Sequence, residues 1–146
     1  METPTAHPEY LSYRVKRVYL LLSQRIDDAL KPYGIARSQW QVLSRVSRAG
    51  TLAQKDLQHA MCVESATLTG IVDVLAARGW LVRTESADDK RVRVLSLTAE
   101  GLARLQAVPD PYKLVETRML HGVPDDERTQ VQATLETLIH NLEDRS

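Results

Sequence analysis

Three hydroxyl side chains, Ser65, Thr67 and Thr69, alternate along a stretch that also holds Ala66 and Gly70. A hydroxyl both donates and accepts hydrogen bonds, and a threonine methyl can meet a thymine methyl. On an exposed helix such residues suit base edges or phosphate oxygens. The competing reading is that Ser65 caps the helix and the threonines only face solvent. Further along, Lys90, Arg91 and Arg93 form a second candidate set. Arg91-Val92-Arg93-Val94 alternates, so in a strand one face is basic and the other packs. Here the competing reading is a solvated hairpin with an internal Asp89–Arg91 pair, worth only about 0–1 kcal/mol. Arg45, Arg48 and Lys55 are further phosphate candidates, against the plain alternative of solvated helical charge.

Other chemistries find no support. The chain has no Gly-rich phosphate loop, nucleophile elbow or metal-binding helix motif, so nothing supplies a catalytic centre. His7, His59, His121 and His140 stand at no metal-ligand spacing from Cys, Asp or Glu, and neither a metal nor a cofactor is expected. The single cysteine, Cys62, cannot form an internal disulfide, which fits a reducing cytosol. Met61 and Val63 beside it suggest a small buried hydrophobe, whereas redox sensing needs an exposed thiolate. Residues 1–8 carry no Lys or Arg, against a secretory signal, and the longest apolar run, residues 18–22, is far below the roughly 20 residues that span a bilayer. A cytoplasmic protein is expected.

The 146 residues, 43% hydrophobic and 26% charged, suit one domain or a small module with helical extensions. With seven aromatics and no Phe, the core must rest on Leu, Val, Ile and Ala. Nineteen bases cancel nineteen acids overall, yet between residues 31 and 93 ten bases face six acids. A basic centre between acidic flanks suits a nucleic-acid module held by arms with another task.

The elements that position these residues follow from apolar spacing. Leu11, Val15, Val18, Leu22, Ile26 and Leu30 recur at steps of three and four, which predicts a long first helix. Tyr10, Tyr13 and Leu20–Leu21 add a second apolar strip that points to a partner subunit. Pro32 and Gly34 stop this helix. Ser38-x-x-Gln41 reads as a capping box opening a second helix with Trp40, Leu43 and Val46 inward. Thr51-x-x-Gln54 reads as the cap of a short third helix with Leu57, Ala60 and Met61 inward. Leu68, Ile71, Val72 and Leu75 predict a fourth helix, whose opposite face is Ala66, Gly70, Asp73 and Ala77. Trp80–Glu85 and Arg91–Leu97 are β-rich runs joined by turn residues, which predicts a hairpin. Thr98 is the expected N-cap of a fifth helix, broken at Pro109-Asp110-Pro111. A last helix begins near Asp125, with Val131, Leu135, Leu138 and Leu142 in its stripe and acids suited to its positive end.

Helix, short helix, helix and basic hairpin is the order of a winged helix-turn-helix. At this point residues 50–101 resemble the MarR-type (multiple antibiotic resistance) regulators. The family's recognition-helix pattern appears as Ser65-Ala66-Thr67-Leu68-Thr69-Gly70-Ile71-Val72-Asp73-Val74-Leu75, followed by Arg78-Gly79-Trp80-Leu81-Val82-Arg83. Its wing signature appears as Asp89-Lys90-Arg91-Val92-Arg93-Val94-Leu95-Ser96-Leu97-Thr98-Ala99-Glu100-Gly101. The long first helix and the terminal helix pair resemble the family's dimerisation arms.

The resemblance implies a mainly α fold with a small β-hairpin wing. Residues 9–34 and 99–146 would be dimerisation helices and residues 35–98 the winged helix-turn-helix domain. It further implies a homodimeric repressor of a near-palindromic double-stranded DNA operator, released by a small phenolic or aromatic-acid ligand. Ser65, Ala66, Thr67, Thr69 and Gly70 would face the major groove, while Arg91, oriented by Asp89, enters a narrow minor groove with Lys90 and Arg93 on phosphates. Many relatives carry Arg where this chain has Gly70, so a bidentate guanine contact is missing there and closer approach is gained. By position in the family, Tyr10, Tyr13, Arg17 and Trp40 are ligand candidates. The first two equally suit dimer packing, and Trp40 equally suits the core. The alternative for the whole chain is a winged helix that binds protein instead of specific DNA, against which the basic wing argues.

Overall fold

The computed structural model describes residues 10–144, which fall into two compact units meeting at Pro111 and Tyr112. The first unit begins with α1 (Leu11–Leu30), ended by a short 3-10 turn (Lys31–Tyr33) in which Gly34 closes the cap in the left-handed conformation at φ 65°. There follow α2 (Arg37–Ala49), β1 (Thr51–Ala53), α3 (Gln54–Met61), α4 (Ser65–Ala77), β2 (Leu81–Glu85), β3 (Arg93–Leu97) and α5 (Ala99–Gln106). α6 (Pro111–Met119) starts at the boundary, and α7 (Asp125–Glu143) completes the second unit.

The core of the first unit forms where the apolar faces of three helices meet a small sheet. Val42, Leu43 and Val46 of α2, Leu57 of α3, and Leu68, Val72 and Leu75 of α4 close on Leu81 of β2 and Leu95 of β3. Each side chain of this size taken from water contributes roughly 1.5–3 kcal/mol. Ile71, expected with them, is half-buried at the rim. The fourth helix therefore presents its predicted face inward, which leaves Ala66, Gly70, Asp73 and Ala77 exposed on the other side.

The sheet has three strands, not the two of a bare hairpin, in the order β1-β3-β2. β3 is central and antiparallel to both neighbours, pairing Leu52 with Leu95 on one side and Arg83 with Leu95 on the other. Thr51 consequently begins a strand and caps nothing; α3 starts at Gln54 with Ala53 before it. Ser38 is likewise inside α2. Only the return half of a capping box opens this helix, two residues earlier, where Gln39 Oε1 accepts from the Ala36 N–H at 3.1 Å. Ala60 is exposed, since only Leu57 of α3 is fully buried.

α5 is anchored to the segment that leads into β2. Thr98 caps it as expected, accepting from the Gly101 N–H at 3.0 Å while donating to the Gly79 carbonyl at 2.6 Å. Gly101 itself lies so close to Trp80 that an added Cβ would overlap the Trp80 carbonyl. Trp80 also has the guanidiniums of Arg78 and Arg104 at 5.0 and 5.3 Å from its ring centre, a cation–π arrangement. Arg104 reaches on to the Tyr33 carbonyl at 2.7 Å, linking α5 to the turn after α1.

The stripe of α1 is buried only at its end, at Ile26 and Leu30; Val15, Val18, Tyr19, Leu20 and Leu21 are all about half exposed or more. In the second unit, Arg128 of α7 donates to the carbonyls of Val123 and Leu120 and ties the start of that helix to the connection before it. Val131, Leu135, Ile139 and Leu142 along α7 are exposed. Among the described residues no single helix is long and apolar enough to cross a membrane; α3 and α4 together would be, but the chain bends by 116° between them.

Candidate nucleic-acid interface

α4 supplies one half of the site. Glu64 is its N-cap residue and makes no side-chain cap bond, so Ser65 stands in the first turn with an exposed side chain instead of capping. Ala66, Thr67 and Gly70 are exposed too, and nothing lies within 4 Å of the space a Gly70 side chain would take. The exposed face is thus low and polar, the relief that lets a helix backbone approach a groove. Thr69 differs from its neighbours. It is half-buried, and its Oγ1 accepts from Gln54 Nε2 at 3.2 Å.

Asp73 lies on the same exposed face, where a free carboxylate would repel a phosphate backbone. Arg83 of β2 donates to it at 2.7 Å and neutralises it locally. This pair also joins the helix to the first strand of the wing. Arg83 is therefore committed to the protein.

The wing tip is built by turn chemistry. Ser86 N donates to the Val92 carbonyl at 2.9 Å, Val92 N to the Asp89 carbonyl at 3.0 Å, and Asp88 N to Ser86 Oγ at 3.3 Å. Asp89 then receives Arg91 three times: from Nε at 3.2 Å, from Nη2 at 3.2 Å and from the backbone N–H at 3.0 Å. The Arg91 side chain and then its backbone N–H hold the Asp89 carboxyl below its usual value of 3.8. Despite these bonds the Arg91 side chain remains 91% exposed. Asp89 fixes the direction of the guanidinium without covering it.

Arg91 and Val92 precede β3, and within β3 Arg93 lies on the same face as the buried Leu95, so the alternation expected over Arg91-Val92-Arg93-Val94, with one face basic and the other packed, is not found. Arg93 and Lys90 are exposed. Arg93 pairs in register with Glu85 across the ladder.

The ligand candidates are placed differently. Tyr10 precedes α1, and Tyr13 and Arg17 follow at helical spacing on one side of it, Tyr10 and Arg17 exposed and Tyr13 half-buried. Trp40 is 7% exposed and belongs to the buried side of α2. A separate surface recess of about 280 Å³ lies elsewhere, lined by Arg45, Arg48, Ala49, Leu52, Asp56 and Ala60. Cys62 is exposed, contrary to the burial expected from Met61 and Val63. The reason is conformational: Cys62 ends α3 in the left-handed region at φ 54°, which turns its side chain out of the sequence of inward positions. Among the described residues no group of three or more His, Cys, Asp or Glu could hold a metal ion.

Sequence reasoning missed Gln54 and Arg83. Both act through tertiary contacts to α4, which no local pattern announces.

Comparison with known proteins accords with this geometry. The sequence pattern of the MarR family matches residues 35–92, from the start of α2 to the wing tip. The chain is 27% identical over 124 residues to the HTH-type transcriptional regulator PecS of Dickeya dadantii, covering 83% of this chain and 75% of PecS. In fold it is similar to a mutant MarR of Escherichia coli complexed with operator DNA, with TM-score 0.78, 22% identity, and 88% and 92% of the two chains covered. It is similar also to CouR of Rhodococcus jostii RHA1 bound to p-coumaroyl-CoA, with TM-score 0.79, 24% identity, and 92% and 95% covered. With its helix-turn-helix and three-stranded sheet, the chain is similar in fold to these proteins and carries the sequence pattern of the MarR family over residues 35–92.

Proposed function

We propose that this chain is a sequence-specific DNA-binding repressor that acts in the cytoplasm as a homodimer on a near-palindromic operator. The observation that carries the reading is the combination of a low, polar, exposed α4 face with a guanidinium at the wing tip that is aimed by Asp89 yet 91% exposed. A guanidinium aimed in advance loses less freedom on entering a minor groove. Lys90 and Arg93 add phosphate contacts, and Ser65, Ala66, Thr67, Thr69 and Gly70 meet the major groove. That MarR of Escherichia coli was crystallised with operator DNA supports the same use of this fold.

Two copies are needed to present two α4 helices to successive major grooves about 34 Å apart. The exposed apolar side chains of α1 and, separately, of α7 supply surface for such pairing. A dimer seated on a promoter excludes polymerase, which makes repression the direct consequence of binding there. A small aromatic or phenolic ligand releases the DNA in this reading, and CouR, crystallised with p-coumaroyl-CoA, supports the binding of such a ligand by this fold. Tyr10, Tyr13 and Arg17 offer rings and a guanidinium to such a ligand, and Trp40 contributes only if core packing shifts to expose it.

The test is selection of genomic DNA fragments by the purified protein, then titration of the enriched site at several salt concentrations. An inverted repeat bound by one dimer is expected, with log affinity falling by about 0.9 per neutralised phosphate for each tenfold rise in salt. Arg91→Ala should weaken the enriched site at least about tenfold, most at narrow A·T-rich flanks. Unchanged affinity and salt slope in that variant would remove the wing from the interface.

A further inference from the structure

Arg45 and Arg48 stand three residues apart on α2, and Ala49 stands four from Arg45, so the three share one face of that helix. Asp56 and Ala60 stand four apart on α3 and share a face there. Together with Leu52 of β1, at the edge of the sheet, these residues line the surface recess of about 280 Å³. Ala60, which the apolar pattern assigned to the core, is one of its walls. The two alanines keep the hollow open, since a longer side chain at either place would fill it.

The recess holds charge of both signs, and none of it is used. Arg45, Arg48 and Asp56 make no hydrogen bond or ion pair with one another or with any other described residue. Helix ends account for two of them: Asp56 lies in the first turn of α3 and Arg48 in the last turn of α2, where such charges are favoured. Arg45 lies inside its helix and has no such reason. Solvated charge needs no hollow, whereas these three groups border one, with Ala49, Leu52 and Ala60 as its apolar lining.

A molecule that satisfies this lining carries a carboxylate for the guanidiniums, an ammonium for the Asp56 carboxylate and an apolar body for Leu52 and the alanines. Those are the parts of a free amino acid with an apolar side chain. The volume lies just under the roughly 300 Å³ at which pockets for drug-sized molecules begin, so it suits a molecule this small. We propose that the recess binds such an amino acid, at a site apart from Tyr10, Tyr13 and Arg17, none of which lines it. A DNA phosphate is the poorer match to these arginines, because the Asp56 carboxylate repels it. The site is built from α2, β1 and α3, and its occupancy is read on the protein without DNA.

The experiment follows backbone amides of the full-length chain by NMR during titration with L-leucine, with isocaproate, which lacks the ammonium, and with isoamylamine, which lacks the carboxylate. Thermal unfolding checks that every variant folds. Leucine should shift amides between residues 45 and 60 and bind at least about tenfold more tightly than either analogue, the worth of one charged hydrogen bond. Replacing both arginines, Arg45→Gln with Arg48→Gln, should remove its advantage over isoamylamine and keep that over isocaproate; Asp56→Asn should do the reverse. Ala60→Leu, which fills the hollow without altering a charge, should weaken leucine at least about tenfold. Leucine held no more tightly than its analogues, or held as well by Ala60→Leu as by wild type, overturns the proposal. Absence of any shift between residues 45 and 60 overturns it too, and a lower DNA affinity with a shallower salt slope in the double arginine variant would then assign both guanidiniums to the phosphate backbone.

Discussion

The winged unit and the helices beyond it use apolar residues in opposite ways. In the first, nine side chains from α2, α3, α4, β2 and β3 close on one another at 3% exposure or less. Along α7, by contrast, Val131, Leu135, Ile139 and Leu142 are between 43% and 83% exposed. The chain is self-sufficient in one region and not in the other. The winged core satisfies itself and can hold α4 and the wing in place. Under the proposed homodimer this apolar face of α7 is the surface a second copy would cover, and α1 repeats the pattern from Leu11 to Leu21.

Substitutions on the two sides should therefore fail in different ways. Leu68→Ala removes a fully buried side chain at the centre of the winged core and should cost about 2–5 kcal/mol, read as a lower denaturant midpoint. A loss below about 1 kcal/mol would mean that this core is far looser than its burial implies. Leu135→Glu should leave the winged core folded but weaken self-association at least about tenfold, as followed by sedimentation over a concentration series. Equal loss of fold in that variant would erase the contrast between the two regions. At the joint, Thr98→Ala deletes both the cap of α5 and its bond to the Gly79 carbonyl. It should cost about 1–2 kcal/mol by thermal melting.

The smallest effect belongs to the wing tip, which relies on neither core nor partner. The folded value of Asp89 lies below the ordinary 3.8, so its contribution is complete above that value and is lost as pH falls beneath it. A carboxyl titration followed by NMR should place its midpoint below 3.8, and Arg91→Ala should raise it toward that value. A wild-type midpoint at or above 3.8 would show that Arg91 is not held in solution.

Much of the winged unit was legible because its signals are local. The spacing of Leu68, Val72 and Leu75 defined the inward face of α4 and, by difference, the outward one. Asp89 and Arg91 stand close enough in sequence for their pairing to be read directly, and Thr98 sits before its helix as a cap should. What escaped depended on contacts distant in sequence. Thr51-Leu52-Ala53 is too short to show alternation, and with Gln54 it imitates a capping box; only pairing with Val94, Leu95 and Ser96 makes it a strand. The Gln54–Thr69 and Asp73–Arg83 bonds unite residues on separate elements. Cys62 misled because its neighbours are apolar, whereas its backbone conformation decides where it points. The exposed stripes of α1 and α7 are visible as stripes, but what covers them is written in a second surface.

The central place of β3 has a consequence for how the chain is made. β1 and β2 pair only with β3, the last strand to be synthesised. After Ala53 leaves the ribosome, about 40 residues must follow before its partner Val94 can receive it. At roughly 5–20 residues per second that wait is about 2–8 s, far longer than a helix needs to form. The helix-turn-helix can assemble during translation while β1 waits as an open edge. The wing is then the closing step that converts a nascent bundle of helices into a finished domain.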